Sequence, residues 1–171
     1  MRPLRKEGQV HSQFRKIILT IMSNASVTIR RALPSDAGTV KELYSGLYPA
    51  ERHRKEKFHL MRTGSEILLA YHKKEPAGFI MLTYVSYGQG PKGFGYIEEM
   101  FVRKRYRRFG IGRTLVKAAI EWFEKHGYIA LFLTTPKTNK GAIRFYRKLG
   151  FRQSRQVWMT LSAPKRKISK S

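Results

Sequence analysis

The chain has 171 residues, 42% hydrophobic and 12% aromatic, enough for one domain with a buried core. It contains no cysteine, which excludes disulfides, thiolate metal sites and a covalent acyl-cysteine intermediate and agrees with a reducing, cytoplasmic setting. The net charge is +24, and the excess is not confined to the ends: residues 22–161 alone hold 26 basic and 10 acidic residues. The folded body therefore projects a positive field that attracts phosphate-bearing ligands and repels polycations.

Residues 1–21 form a basic N-terminal extension. Two readings stand beside each other here, a flexible arm or a domain that starts at Met22, with an Arg-rich presequence as a third. The apolar run from Ile17 to Met22 is too short to span a bilayer, which takes about 20 residues. Val27 to Ala32 is expected as the first strand. Ser35 is the N-cap candidate of a helix in which Val40, Leu43, Tyr44 and Leu47 recur at helical spacing. Residues 50–62 predict a second, very basic helix; its His53 and His59 are not spaced i, i+3 or i, i+4, so no metal site is expected.

Glu66 to Tyr71 and Ala77 to Tyr87 predict the next two strands. Gly88-Gln89-Gly90-Pro91-Lys92-Gly93 matches Gly-x-Gly-x-x-Gly, but it contains proline and leads into a strand, so it reads as a hairpin loop and not as a dinucleotide fingerprint. Tyr96 to Arg103 is an apolar strand. A basic turn follows, Lys104 to Gly112, and then a helix from Ile111 to Lys125 with Ile111, Leu115, Val116, Ala119, Ile120 and Phe123 on one face. His126-Gly127 ends that helix. Ile129 to Thr134 predicts a buried strand parallel to 96–103, because a helix crosses between them. Asn139 to Leu149 is a helix ended by Gly150, Phe151 to Leu161 is strand, and 162–171 is a basic tail.

The strand–turn–helix at 95–125 carries the chemistry. A glycine-rich turn at a helix N-terminus aims free backbone N–H groups at one point, the helix dipole adds positive charge, and Arg107, Arg108 and Arg113 add full charges. That arrangement reads as a pyrophosphate cradle. Its residues Arg107-Arg108-Phe109-Gly110-Ile111-Gly112 resemble the acyl-CoA motif Arg/Gln-x-x-Gly-x-Gly/Ala of the GNAT superfamily of N-acetyltransferases. A second stretch, Asn139-x-x-Ala142-x-x-Phe145-Tyr146-x-x-x-Gly150-Phe151, resembles the family segment beside pantetheine and the acetyl group. The likeness covers Val27 to Leu161.

The resemblance implies an α/β GNAT fold, a mixed sheet of about six to seven strands flanked by about four helices, in a domain at 22–161. It implies acetyl-CoA as donor, a primary amine as acceptor, and direct attack. Arg107, Arg108, Phe109, Gly110, Ile111, Gly112, Arg113 and Thr114 would form the cradle. Met100, Phe101 and Val102 would lie along the pantetheine arm, with backbone groups of Met100 and Val102 presented to it, and Asn139 and Ala142 would flank it. Glu98, nine residues before Arg107, matches the base of polyamine-type relatives, acting through a water; Glu99 is the weaker candidate. Alternation along a strand sends only one of the two into a given cleft unless a bulge intervenes, and an apolar strand would raise the carboxylate's pKa. Tyr146 matches the tyrosine near the CoA sulfur and is the candidate acid to the thiolate; as a core aromatic it would need no such role.

The glutamate pair and Phe145-Tyr146 resemble the small-amine, polyamine-like branch, whereas the cationic body opposes a polyamine acceptor. The resemblance also implies a homodimer as a frequent arrangement. A different class of function stays open at this point: a basic protein that binds nucleic acid or ribosomes and uses the fold without turnover.

Overall fold

The computed structural model describes residues 22–23, 26–49, 64–86, 93–155 and 159. The expectations for the N-terminal arm, the basic helix at 50–62, the glycine loop before Gly93 and the tail at 162–171 lie outside the described residues.

Among the described residues, six strands form one sheet in chain order: β1 (Met22–Ser23), β2 (Val27–Arg31), β3 (Ser65–His72), β4 (Glu75–Ser86), β5 (Gly93–Val102) and β6 (Ala130–Leu133). β1 through β5 pair antiparallel and β6 pairs parallel with β5, so the sheet is mixed. Three α-helices accompany them among the described residues: α1 (Ala37–Leu47), α2 (Ile111–Lys125) and α3 (Lys140–Arg147). The architecture is the α/β fold read from the sequence. The two-residue β1 was not foreseen, because so short a segment has no periodicity to read. Residues 151–155, expected as the start of a strand, carry none.

Two apolar layers hold the sheet. On one face Ile111, Leu115, Val116, Ala119 and Phe123 of α2 pack against Ile29, Leu68, Ile80, Leu82 and Ile97. On the other, Val40 and Leu43 of α1 pack against Ile67, Leu69 and Phe79. β3 alternates between the two layers and is buried on both sides, which is why its sequence is a nearly continuous apolar run. Each large side chain buried in this way contributes about 1.5–3 kcal/mol. α2 seats closely because β5 carries no side chain at Gly95: a Cβ there would lie 1.8 Å from Phe123 Cε1.

The entry to α1 differs from the expected one. Pro34–Asp36 form a 3₁₀ turn and Asp36, not Ser35, stands at the helix N-cap. Asp36 accepts the Leu33 N–H at 2.7 Å and both Arg30 NH groups at 2.7 Å. Arg30 holds the Asp36 carboxyl below the usual carboxylate range. The chain's one aspartate is thus a structural group. Glu66 is its counterpart: it is buried and bound bidentately by Arg31.

Candidate active site

β5 and β4 are in register from Ser86↔Gly93 to Leu82↔Ile97, and again from Met81↔Glu99 to Gly78↔Val102. Glu98 is the residue left over, so β5 is bulged there. Glu98 accepts a hydrogen bond from Thr83 Oγ1 at 2.6 Å. Glu99 accepts one from the Tyr48 hydroxyl at the end of α1. Thr83 follows Phe79 and Met81 on the face of β4 that meets α1, whereas Ile97 and Met100 join the α2 layer. Both carboxylates therefore project to the α1 side. The alternation rule, which would separate them, fails because one extra residue is inserted between its two halves. Glu98 is exposed and Glu99 half-buried, so the apolar setting expected around Glu98 is absent.

The same point is where β5 loses its other neighbour. Pairing with β6 runs from Phe94↔Ala130 to Ile97↔Leu133 and ends. Beyond it, the β6-side edge of β5 has no strand partner among the described residues. The Arg103 N–H donates to Ala77 C=O on β4 at 2.9 Å, so two-residue alternation turns the N–H and C=O groups of Met100 and Val102 to the free edge. Arg107 Nε reaches the Val102 carbonyl from that side at 3.1 Å. Met100 and Val102 keep their side chains in the α2 layer and offer backbone. The side chain of Phe101 packs toward α1, where a Cβ on Gly46 would lie 2.7 Å from its Cζ.

The turn after β5 runs through a 3₁₀ segment, Lys104–Tyr106, and then through Arg108 and Gly110, both with left-handed φ (72° and 79°). The Thr114 N–H is bonded to Gly110 C=O at 3.0 Å, the first bond within α2. The N–H groups of Ile111, Gly112 and Arg113 consequently have no acceptor inside the helix. Gly110 supplies no capping side chain. Arg107, Arg108 and Arg113 are exposed around this end, and the helix dipole adds to their charge. A Cβ on Gly112 would meet only the side-chain ends of Phe145, Val102 and Met100, at 3.7–3.9 Å. Nothing inside the described chain requires glycine at 112, so the room it leaves is available to a ligand. The donor set and the charge fit an anionic group. Ile111 is buried and serves through its backbone alone; Phe109 is exposed, with its ring 5.4 Å from that of His72. The Thr114 hydroxyl is turned back to Gly110 C=O at 3.3 Å.

α3 completes the site. Asn139 is its N-cap, with Oδ1 accepting the Ala142 N–H at 3.0 Å. Its side-chain oxygen is engaged by the helix, which leaves the amide NH₂ as the group it can turn to a ligand. Phe145 lies beside Gly112, and Tyr146 packs edge-on against Phe145 and Phe151. Burial, and after it the negative charge of Glu99, push the Tyr146 phenol up to about 12.

Three further residues surround the carboxylates: Tyr48, Thr83 and Tyr96. Tyr96 donates to Thr134 Oγ1 at 2.6 Å, spanning β5 and the end of β6. Thr83, Tyr96 and Glu98, with Tyr84, Val85 and Phe94, line a cleft of about 370 Å³. Alternation from Glu98 back to Tyr96 could have found Tyr96; no local signal points to Tyr48 or Thr83. Among the described residues, no cluster of His, Cys, Asp or Glu could hold a metal ion, and no helix is long and apolar enough to cross a membrane.

A family model described as the acetyltransferase (GNAT) family matches residues 37–151. A probable N-acetyltransferase of Drosophila melanogaster is 26% identical over 131 residues, 76% of this chain and 70% of that protein. An uncharacterized N-acetyltransferase of Methanocaldococcus jannaschii is 41% identical over 67 residues, 38% of this chain but 30% of that protein. Among solved structures, an aminoglycoside acetyltransferase from an uncultured soil metagenomic sample superposes with a TM-score of 0.68, covering 83% of this chain and 99% of the other. Its 18% identity makes that a likeness of fold.

Proposed function

The chain belongs to the acetyltransferase (GNAT) family, whose acyl donor is acetyl-CoA, and from that premise we propose that it acetylates a primary amine by direct attack, with Glu98 and Tyr146 at the reacting centre. The donor brings an activated thioester whose leaving group is a thiolate. The chain's part is to hold it, to deprotonate the amine and to ease the departure of sulfur.

In this reading the N–H groups of Ile111, Gly112 and Arg113, with Arg107 and Arg108, hold the pyrophosphate. The outward backbone groups of Met100 and Val102 hold the pantetheine arm, and one of those N–H groups polarises the thioester carbonyl. The Asn139 NH₂ donates to the same arm. Glu98, exposed at the cleft, takes the ammonium proton through a water. Tyr146 donates a hydrogen bond to the sulfur as the C–S bond breaks. With its phenol at about 12 and a thiol such as that of cysteine near 8.5, complete transfer from Tyr146 would be uphill by about 5 kcal/mol. Tyr146 therefore stabilises the thiolate as a donor that stays protonated at every working pH. Glu99, held by Tyr48, adds the negative charge that helps to keep that phenol protonated.

One observation carries the reading: the bulge at Glu98 coincides with the end of β6 pairing, so two carboxylates and a backbone edge with no strand partner among the described residues fall together within residues 98–102. The glutamate pair resembles the small-amine branch. The +24 chain opposes a polycation, so a monoamine or a peptide amine is the acceptor we favour over a polyamine. The test is thiol release from acetyl-CoA with a panel of monoamines, peptide amines and polyamines, beside calorimetric titration with acetyl-CoA and ATP. Stoichiometric acetyl-CoA binding with amine-dependent release is expected. Tight binding without release by any amine would overturn catalysis, and equal weak binding of acetyl-CoA and ATP would overturn the cradle.

A further inference from the structure

The last carboxylate in the sequence is Glu124. Twelve lysines and arginines and no acidic residue follow it. Within the described part of that stretch, Lys137, Lys140, Arg144, Arg147, Lys148 and Arg152 are exposed, and none forms an ion pair among the described residues. The described ion pairs use Arg30, Arg31, Arg103 and Arg105 instead. Cations on α3 and its flanks thus stand without neutralisation from the described residues, which costs self-repulsion unless an anion meets them.

The acyl donor does not account for them. It carries a pyrophosphate and a phosphomonoester, about four negative charges, and Arg107, Arg108 and Arg113 already stand at the cradle. α3 adjoins that cradle through Phe145 beside Gly112, but its cationic side faces away from the contact. Lys140, Arg144 and Lys148 form one row at i, i+4 and i+8, about 12 Å long at 1.5 Å per residue. A nucleic-acid strand presents one phosphate per about 3.4 Å of axis, so that row spans three to four phosphates.

We propose that the outer face of α3, with its flanks from Lys137 to Arg152, is a binding surface for the sugar–phosphate backbone of nucleic acid, separate from the acyl-donor cradle. A membrane surface fits less well. Helices that lie on membranes insert an apolar face, and that of α3, with Phe145 and Tyr146, is packed into the core. An acidic peptide fits less well because the face offers no exposed large apolar anchor of the kind that dominates protein interfaces. The contact reads charge and spacing, so it is strongly salt-dependent and tolerant of sequence. It would place the acetyl-transfer site beside a nucleic-acid-bound acceptor.

The experiment is fluorescence anisotropy of the full chain with a labelled RNA of roughly 20 nucleotides, at salt from about 50 to 200 mM. The double variant Arg144→Glu/Lys148→Glu is compared with Lys41→Glu/Lys117→Glu, which changes net charge equally at exposed positions on α1 and α2. The α3 variant is expected to lose at least about tenfold in RNA affinity and to lower the salt slope by about two, while acetyl-CoA affinity and Tm stay as in the parent. Equal losses in both variants would show attraction to net charge alone and overturn the assignment of the face. Equally tight binding of polyglutamate, or of anionic vesicles in place of RNA, would overturn the ligand class. Loss of RNA binding together with acetyl-CoA binding would merge the surface with the cradle and overturn its separateness.

Discussion

Tyr48 donates its phenolic hydrogen to the Glu99 carboxylate, tying the end of α1 to the residue that follows the bulge. Glu99 in turn adds its charge to the burial that pushes Tyr146 up to about 12. Glu99→Gln keeps the shape and removes the charge. The Tyr146 pKa should fall from that value but stay above 10.0, because burial is the larger cause. Ultraviolet titration, with Tyr146→Phe as the subtracted background, measures it; an unchanged pKa would mean the two residues do not interact.

Glu98→Gln should lower the acetylation rate at neutral pH by about 10²-fold or more. The deficit should shrink as pH rises past the acceptor's own pKa, about 8 for an α-amine and about 10.4 for a lysine, where no base is needed. A pH–rate profile of kcat/KM distinguishes this from a structural loss, which would be uniform across the range.

The two glycines of the cradle should fail differently. Gly112→Ala places a methyl at ordinary contact distances, so Tm should hold while acetyl-CoA affinity drops by at least about tenfold through lost backbone approach. Gly110→Ala forces a side chain into φ 79° and should also cost about 1–2 kcal/mol of stability. Calorimetric titration and thermal melts report both quantities. Full affinity in Gly112→Ala would remove the cradle from the first turn of α2.

Burial raises the Glu66 carboxyl above its ordinary value although Arg31 opposes the shift. A raised folded-state pKa contributes stability that is present below 4.5 and is lost as pH climbs through the raised value. Arg31→Met removes the compensating charge and should cost about 3–5 kcal/mol near neutrality. Its loss should be smallest in acid, where Glu66 is neutral, and Glu66→Gln in the same background should flatten the dependence. Urea unfolding at a series of pH values tests the sign.

Gly95→Ala should destabilise by about 1–3 kcal/mol through the clash with Phe123. Phe123→Leu should be less costly in that background than in the parent, a coupling that a double-mutant cycle on unfolding free energies would read. Additive effects would mean that α2 shifts as a body to make room.

Local spacing carried much of this molecule. The helix expected at Ile111 to Lys125 is α2 with the same bounds, because its apolar stripe, its glycine turn and its His126-Gly127 stop lie within one continuous stretch. The parallel placement of β6 followed from the helix between it and β5. The entry to α1 was less legible: Asp36 stands at the N-cap position without a side-chain bond into the helix, because its carboxylate is taken by Arg30 of another element and by the Leu33 N–H. Tyr48 reaches Glu99 across 51 positions, and nothing near either residue announces it.

The amino-acid sequence by itself determined the family and the acyl donor, because both rest on two short motifs whose residue types and spacing lie within continuous stretches of chain. Only the tertiary structure decided that Glu98 and Glu99 share a face and that, among the described residues, the edge beside them has no strand partner. Both depend on strand pairing, and pairing is a property of two strands. The extra residue in β5 is defined only against Leu82 and Met81 of β4, and the free edge only against the last pair that β6 makes, Ile97 with Leu133.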